Sequence, residues 1–168
     1  AFELGRVSHV PLPARAAEFG DWYRQMAEDH KGDTDILFDF LAREASLEQI
    51  ALFIALEEEV DSRFEDLISM AQLGVRDKPK LVIGENYWDE MGSGTFEKIH
   101  AVMFDKSVRY MKQVLADRDL DLAALIPIEA VKNANMLMMY GIRRQFNPRL
   151  IGALGILELT APDRFQSM

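Results

Sequence analysis

Between Glu85 and His100 the chain reads Glu-Asn-Tyr-Trp-Asp-Glu-Met-Gly-Ser-Gly-Thr-Phe-Glu-Lys-Ile-His, which places several carboxylates and one of its three histidines within about four helical turns. Carboxylate oxygen and imidazole nitrogen together form the ligand set of non-haem iron or manganese. Helix-borne Glu-x-x-His pairs are how helical bundles hold two such metals, and Glu97 and His100 stand at that spacing. Read as one helix at ~100° per residue, Glu90, Glu97 and His100 share a stripe, and Gly94 leaves room on it. The expectation is a metal site. A histidine by itself is more often a surface or hydrogen-bonded group, and a Glu-x-x-His pair arises readily by chance in an acidic helix.

Other groups carry weaker chemistry. Glu58, Asp61 and Glu65 form a stripe on a preceding helix and offer a further carboxylate. Glu158 is flanked by Leu154, Ile156, Leu157 and Leu159, where a buried carboxylate is costly unless paired or bound to metal. The run Glu57-Glu58-Glu59 reads as a solvated face with one member turned inward. Met70, Met136, Met138 and Met139 read as core filler, and Tyr87 and Trp88 as packing residues. For Arg143 and Arg144 a role at a helix C-terminus outweighs capture of a substrate carboxylate.

The elements that must position these groups are helical. Ala14 to His30 is amphipathic, with Phe19, Trp22, Tyr23 and Met26 on one face. Gly32-Asp33 is expected to break it, with Asp33 or Thr34 capping a second helix through Leu37, Phe38, Phe40 and Leu41. Ser46 and Gln49 form a capping box that opens a long helix to about Leu73, followed by Gly74 as a C-cap. Lys78-Pro79 starts the segment carrying the acidic motif, whose only strand-like run, Lys80 to Ile83, is taken as helix. From Thr95 the period runs on to about Ala116. Leu120 to Tyr140 follows, with Pro127 kinking it or starting its main helix. Asn147-Pro148 breaks the chain again before a last helix, Leu150 to Leu159. The prediction is an all-α bundle of six or seven helices in one domain, 1–168.

Composition narrows the function further. The chain has 168 residues, 49% of them apolar, which is a globular composition. A net charge of −9 repels a phosphate backbone, and no basic cluster offsets it, so nucleic acid is not an expected partner. Cysteine is absent, which removes disulfides, thiolate-bound metals and a thiol nucleophile, and suits a cytoplasmic protein. No uncharged apolar run reaches the ~18 residues that span a bilayer, and no leader pattern opens the sequence, so no membrane is expected. The absence of an initiator Met suggests that residues before Ala1 are lost, processed or disordered.

The pattern Glu-Asn-x-x-Asp-Glu-x-Gly-x-Gly-x5-His, here Glu85 to His100, resembles the haem-oxygenase-like di-iron oxidases, also described as the iron-containing redox enzyme family. The layout Phe-Leu-Ala-x-x-Ala-Ser-Leu-Glu-Gln-Ile at residues 40–50 is similar to that family's first core region, and Gly152 to Glu158 to its small-residue-rich helix with a single Glu ligand. The resemblance implies a haem-oxygenase-like helical fold binding two non-haem Fe(II) ions in place of haem. It implies O2 activation for decarboxylation, C–C cleavage, desaturation or N-oxygenation of a small metabolite such as an amino acid, a fatty acid or an amine. Carried over, it makes His100 a metal ligand and Glu158 the carboxylate of a facing helix. Glu90 is the first choice for the carboxylate beside His100, since it lies in the best-matched part of the motif, and Glu97 is the second. Phe104, Met136, Met139 and Tyr140 are the expected pocket lining.

One part of the family pattern is missing. The family expects a last core helix with His-x3-Asp-x2-His, which supplies most of the second half-site, and the sequence reaches Met168 without it. His9 and His30 do not match that motif. The expectation is that this helix lies beyond the residues given and that its order is coupled to metal binding; truncation and loss of metal are the alternatives. Two irons per chain therefore require those absent ligands. The competing functional readings are a metal-free thiaminase-like or quinone-biosynthesis-like helical enzyme, and a helical binding module. A homodimer is compatible with a bundle this apolar.

Overall fold

The computed structural model describes residues 11–118 and 120–166, without the side chains of residues 30–35 and 162–166. Among the described residues there are eight α-helices and no strand: α1 (Phe19–Arg43), α2 (Leu47–Asp61), α3 (Phe64–Ala71), α4 (Asp77–Glu90), α5 (His100–Val114), α6 (Leu122–Leu125), α7 (Ile128–Ile142) and α8 (Asn147–Gln166). The all-α class read from periodicity holds. His9 and the side chains of His30, Asp33 and Thr34 lie outside the described residues.

Several boundaries differ from the sequence reading. The break expected at Gly32-Asp33 is absent, and α1 runs through it as one helix of 25 residues. An interior glycine costs a helix only ~1 kcal/mol, and Phe38 and Leu41 bury their side chains just beyond it. The long helix expected from Ser46 to Leu73 is instead two, separated at Ser62-Arg63, where Arg63 leaves helical geometry (φ −141°, ψ 15°). The capping box opening α2 is present, with Ser46 Oγ accepting from the Gln49 amide and Gln49 Oε1 accepting from the Ser46 amide; such a cap stabilises by ~1 kcal/mol. Lys80 to Ile83 is helical, within α4. Pro127 starts α7. Pro148 does not break the chain, because it stands in the first turn of α8, where its missing N–H costs nothing. The α8 backbone also continues past Leu159 and Pro162.

The chain divides into two compact units, residues 1–42 with 156–168, and residues 43–155. In the first, Ala27, Phe38 and Leu41 are buried, and Phe19 stacks near Trp22 and Tyr23 at centroid distances of 5.4 and 5.7 Å. In the second, α2 packs on α5, α6 and α7, and α3 packs on α4, α5 and α7. Ala51, Leu115 and Leu122 form one core cluster with Leu47, Leu52, Met111 and Leu120 against it. The short α3 is the most deeply seated element: Phe64, Leu67, Ile68 and Ala71 are all buried. Each such large apolar side chain contributes roughly 1.5–3 kcal/mol, so α3 is held by packing despite being only eight residues long. No described helix is long and apolar enough to cross a membrane.

Candidate metal centre

The acidic motif is not one helix. α4 ends at Glu90, α5 begins at His100, and two 3-10 turns, Gly92–Gly94 and Phe96–Lys98, lie between them. Glu90, Glu97 and His100 therefore do not share a helical stripe. The reason is local: Gly92, Ser93 and Gly94 all take positive φ (60°, 51° and 84°), which ends the α4 backbone direction. A Cβ on Gly92 would stand 2.5 Å from the Lys98 carbonyl carbon and 2.7 Å from the Ile99 nitrogen, so the chain doubles back on itself where only glycine fits. Gly94 leaves room for Trp88, whose ring edge would be 2.9 Å from a Cβ there. Ser93 carries the left-handed conformation without glycine's freedom, at a cost of roughly 1–2 kcal/mol.

This turn brings the two ends of the motif together. His100 Nδ1 contacts Glu90 Oε2, and both side chains are mostly buried, 32% and 12% exposed. The His100 ring lies edge-on to Phe64 (centroids 6.4 Å apart, 85° between planes) and 5.1 Å from the Phe104 ring. Phe104, one of the expected lining residues, thus stands against His100. Tyr140 is buried beside Phe146, 5.6 Å between centroids, and Met136 is exposed.

A second carboxylate joins the pair. Glu65, in the first turn of α3, has a buried Oε2 with no hydrogen-bond partner among the described residues. Burial pushes its carboxyl above the ordinary range. Its backbone contact opposes that shift, the charges of Asp66 and Glu90 add to it, and His100 opposes it. Glu65 therefore feels the charges of Glu90 and His100, and the three residues come from the starts of α3 and α5 and the end of α4. The stripe of Glu58, Asp61 and Glu65 read from sequence assumed one unbroken helix; the break at Ser62-Arg63 separates Glu65 from the other two. Glu58 remains on α2, where burial raises its carboxyl, Lys112 opposes this, and Asp105 and Glu59 add to it.

The other expected ligands are placed differently. Glu97 is exposed on the turn Phe96–Lys98. Glu158 is half-buried on α8, within the unit formed by residues 1–42 and 156–168. Arg144 serves a helix C-terminus, as expected: its guanidinium donates to the Met70 carbonyl at the end of α3, 3.0 Å away.

Among the described residues no group of three His, Asp or Glu side chains is placed to hold a metal ion. The residue types nonetheless suit iron: Glu90 and His100 pair a carboxylate with an imidazole, and a buried Glu65 oxygen, without a partner among the described residues, is of the kind that a bound cation satisfies. The family model described as iron-containing redox enzyme matches residues 51–168, a span that includes Glu65, the whole acidic motif and Glu158. No curated protein matches the chain, and no solved structure matches it. The match covers well over half of the sequence, and the chain belongs to the iron-containing redox enzyme family.

Proposed function

We propose that this protein is an O2-activating non-haem iron oxidase or oxygenase acting on a small metabolite. Glu65, Glu90 and His100 contribute to the iron site; the observation carrying the proposal is the Glu90–His100 contact, with a buried Glu65 oxygen that has no partner among the described residues and whose carboxyl feels the charges of both. Glu158 enters as a ligand through the family resemblance alone. A second iron in each chain depends on ligands beyond this set. Bound Fe(II) supplies electrons for reducing O2.

The protein's own residues do the rest. The contact of His100 Nδ1 with Glu90 holds the imidazole ring in one orientation. Phe64 and Phe104 cover part of that ring with apolar surface and lower the local dielectric, which strengthens carboxylate–cation attraction. Burial of Glu65 disfavours its bare anion, so a cation beside it relieves a cost that the folded chain otherwise carries.

The same observations admit a metal-free reading, in which Glu65 and the Glu90–His100 pair act as acid and base on an aromatic or amine substrate. The test is O2 uptake by protein loaded anaerobically with Fe(II), assayed with amino acids, fatty acids and amines. Iron-dependent O2 consumption coupled to product supports the oxygenase. Turnover unchanged by chelation contradicts it and favours the metal-free enzyme.

A further inference from the structure

The helix α4 buries none of its own residues. One side of it is nevertheless occupied: Lys80 Nζ donates to the Gln72 carbonyl, 3.0 Å away, and α4 packs on α3. The opposite side carries Lys78, Leu81, Val82, Glu85, Trp88 and Asp89, whose three- and four-residue spacing makes a continuous stripe. All six are exposed, with Leu81, Val82 and Trp88 at 68%, 63% and 55%. The Trp88 indole is not a loose side chain, since its ring edge lies over Gly94.

The charges on this stripe have an order. Lys78 stands at its N-terminal end, Glu85 and Asp89 toward its C-terminal end, and Leu81 and Val82 between. The side chains of Lys78, Glu85 and Asp89 make no ion pair or hydrogen bond among the described residues. A parallel partner of the same sequence would set like charges against each other. An antiparallel one sets Lys78 of each copy against the partner's Glu85 and Asp89, with the apolar residues meeting near the two-fold axis. The stripe is thus complementary to itself under the commonest symmetry of homo-oligomers.

We propose that α4 is a homodimer interface, in which two copies of this chain pair their α4 helices antiparallel. A helix of 14 residues is about 21 Å long, so the buried area falls at the small end of specific interfaces and the dimer dissociates on dilution.

Sedimentation equilibrium of the full chain over a series of concentrations tests this. The expected mass rises from monomer toward dimer with concentration. Leu81→Glu and Lys78→Glu each weaken association at least about tenfold, with helicity by circular dichroism unchanged. Lys78→Glu combined with Glu85→Lys and Asp89→Lys restores association, because the reversed stripe is again self-complementary. A wild-type chain that stays monomeric at every concentration overturns the proposal. So does a dimer that both single substitutions leave intact, or one that the charge-reversed combination fails to restore.

Discussion

The two ends of α3 present polar groups in opposite conditions. At its C-terminal end carbonyls are served by side chains: Met70 accepts from Arg144, Ala71 from the Asn147 side chain at 3.3 Å, and Gln72, just beyond the helix, from Lys80. Gly141 lets Met70 seat against α7, since a Cβ there would meet the Met70 Cε at 2.6 Å. At the N-terminal end, Glu65 keeps a buried oxygen without a partner among the described residues, and its carboxyl feels the charges of Glu90 and His100. Both ends belong to one eight-residue helix held by the same apolar residues. The difference separates polar residues that hold the fold from polar residues kept for a ligand.

The largest expected effect comes from the turn that joins the Glu90 and His100 ends. Gly92→Ala forces a Cβ into the Lys98–Ile99 backbone at positive φ, and is expected to cost at least about 2 kcal/mol and to displace His100. Thermal unfolding and iron content should both fall. Stability lost with iron retained would show that the turn does not set the site.

Next in size, Asn147→Ala leaves the Ala71 carbonyl without its donor in a buried position and should cost ~1–3 kcal/mol. Denaturant unfolding reads this directly, and iron binding should be unchanged. A loss of iron there would break the distinction between the two ends of α3.

The smallest effects separate Glu58 from Glu65. Burial raises the Glu58 carboxyl above its unfolded-state value, so the folded chain binds its proton more tightly. Its contribution to stability is fully present below the unfolded carboxyl range and is lost as pH rises through the raised folded value. Glu58→Gln should therefore flatten that loss in a pH series of melting temperatures and leave iron content intact. Glu65→Gln should lower iron content. Equal effects of the two on iron would show that Glu65 has no special place.

Much of the fold was legible in the sequence because helix period and capping chemistry are local. Ser46 with Gln49 declared the start of α2, and Pro127 the start of α7. Gly32 misled, since one glycine weakens a helix without ending it when buried apolar residues follow. Of the candidate site, the sequence reading foresaw two residues that come together but not how they do so. Glu90 and His100 meet, as a metal-site reading requires, but through a turn that no helical stripe anticipates. The signal for it was present in Gly92-Ser93-Gly94, of which only Gly94 was read, as space on a helix face. Glu65 was one of three equivalent carboxylates until the break at Ser62-Arg63 set it apart, and nothing local in the sequence marks that break.

The central claim is that Glu65, Glu90 and His100 take part in holding iron, and a ligand substitution tests it most directly. Fe(II) should be titrated anaerobically into the metal-free protein and into His100→Ala, with bound iron counted and the melting temperature followed in each. The account predicts iron binding and a rise in melting temperature for the wild type, with affinity at least about 100-fold weaker in the variant, since even removing a group that only supports a ligand costs 10–100-fold. Equal iron binding by the two proteins, or none by a well-folded wild type, would contradict it.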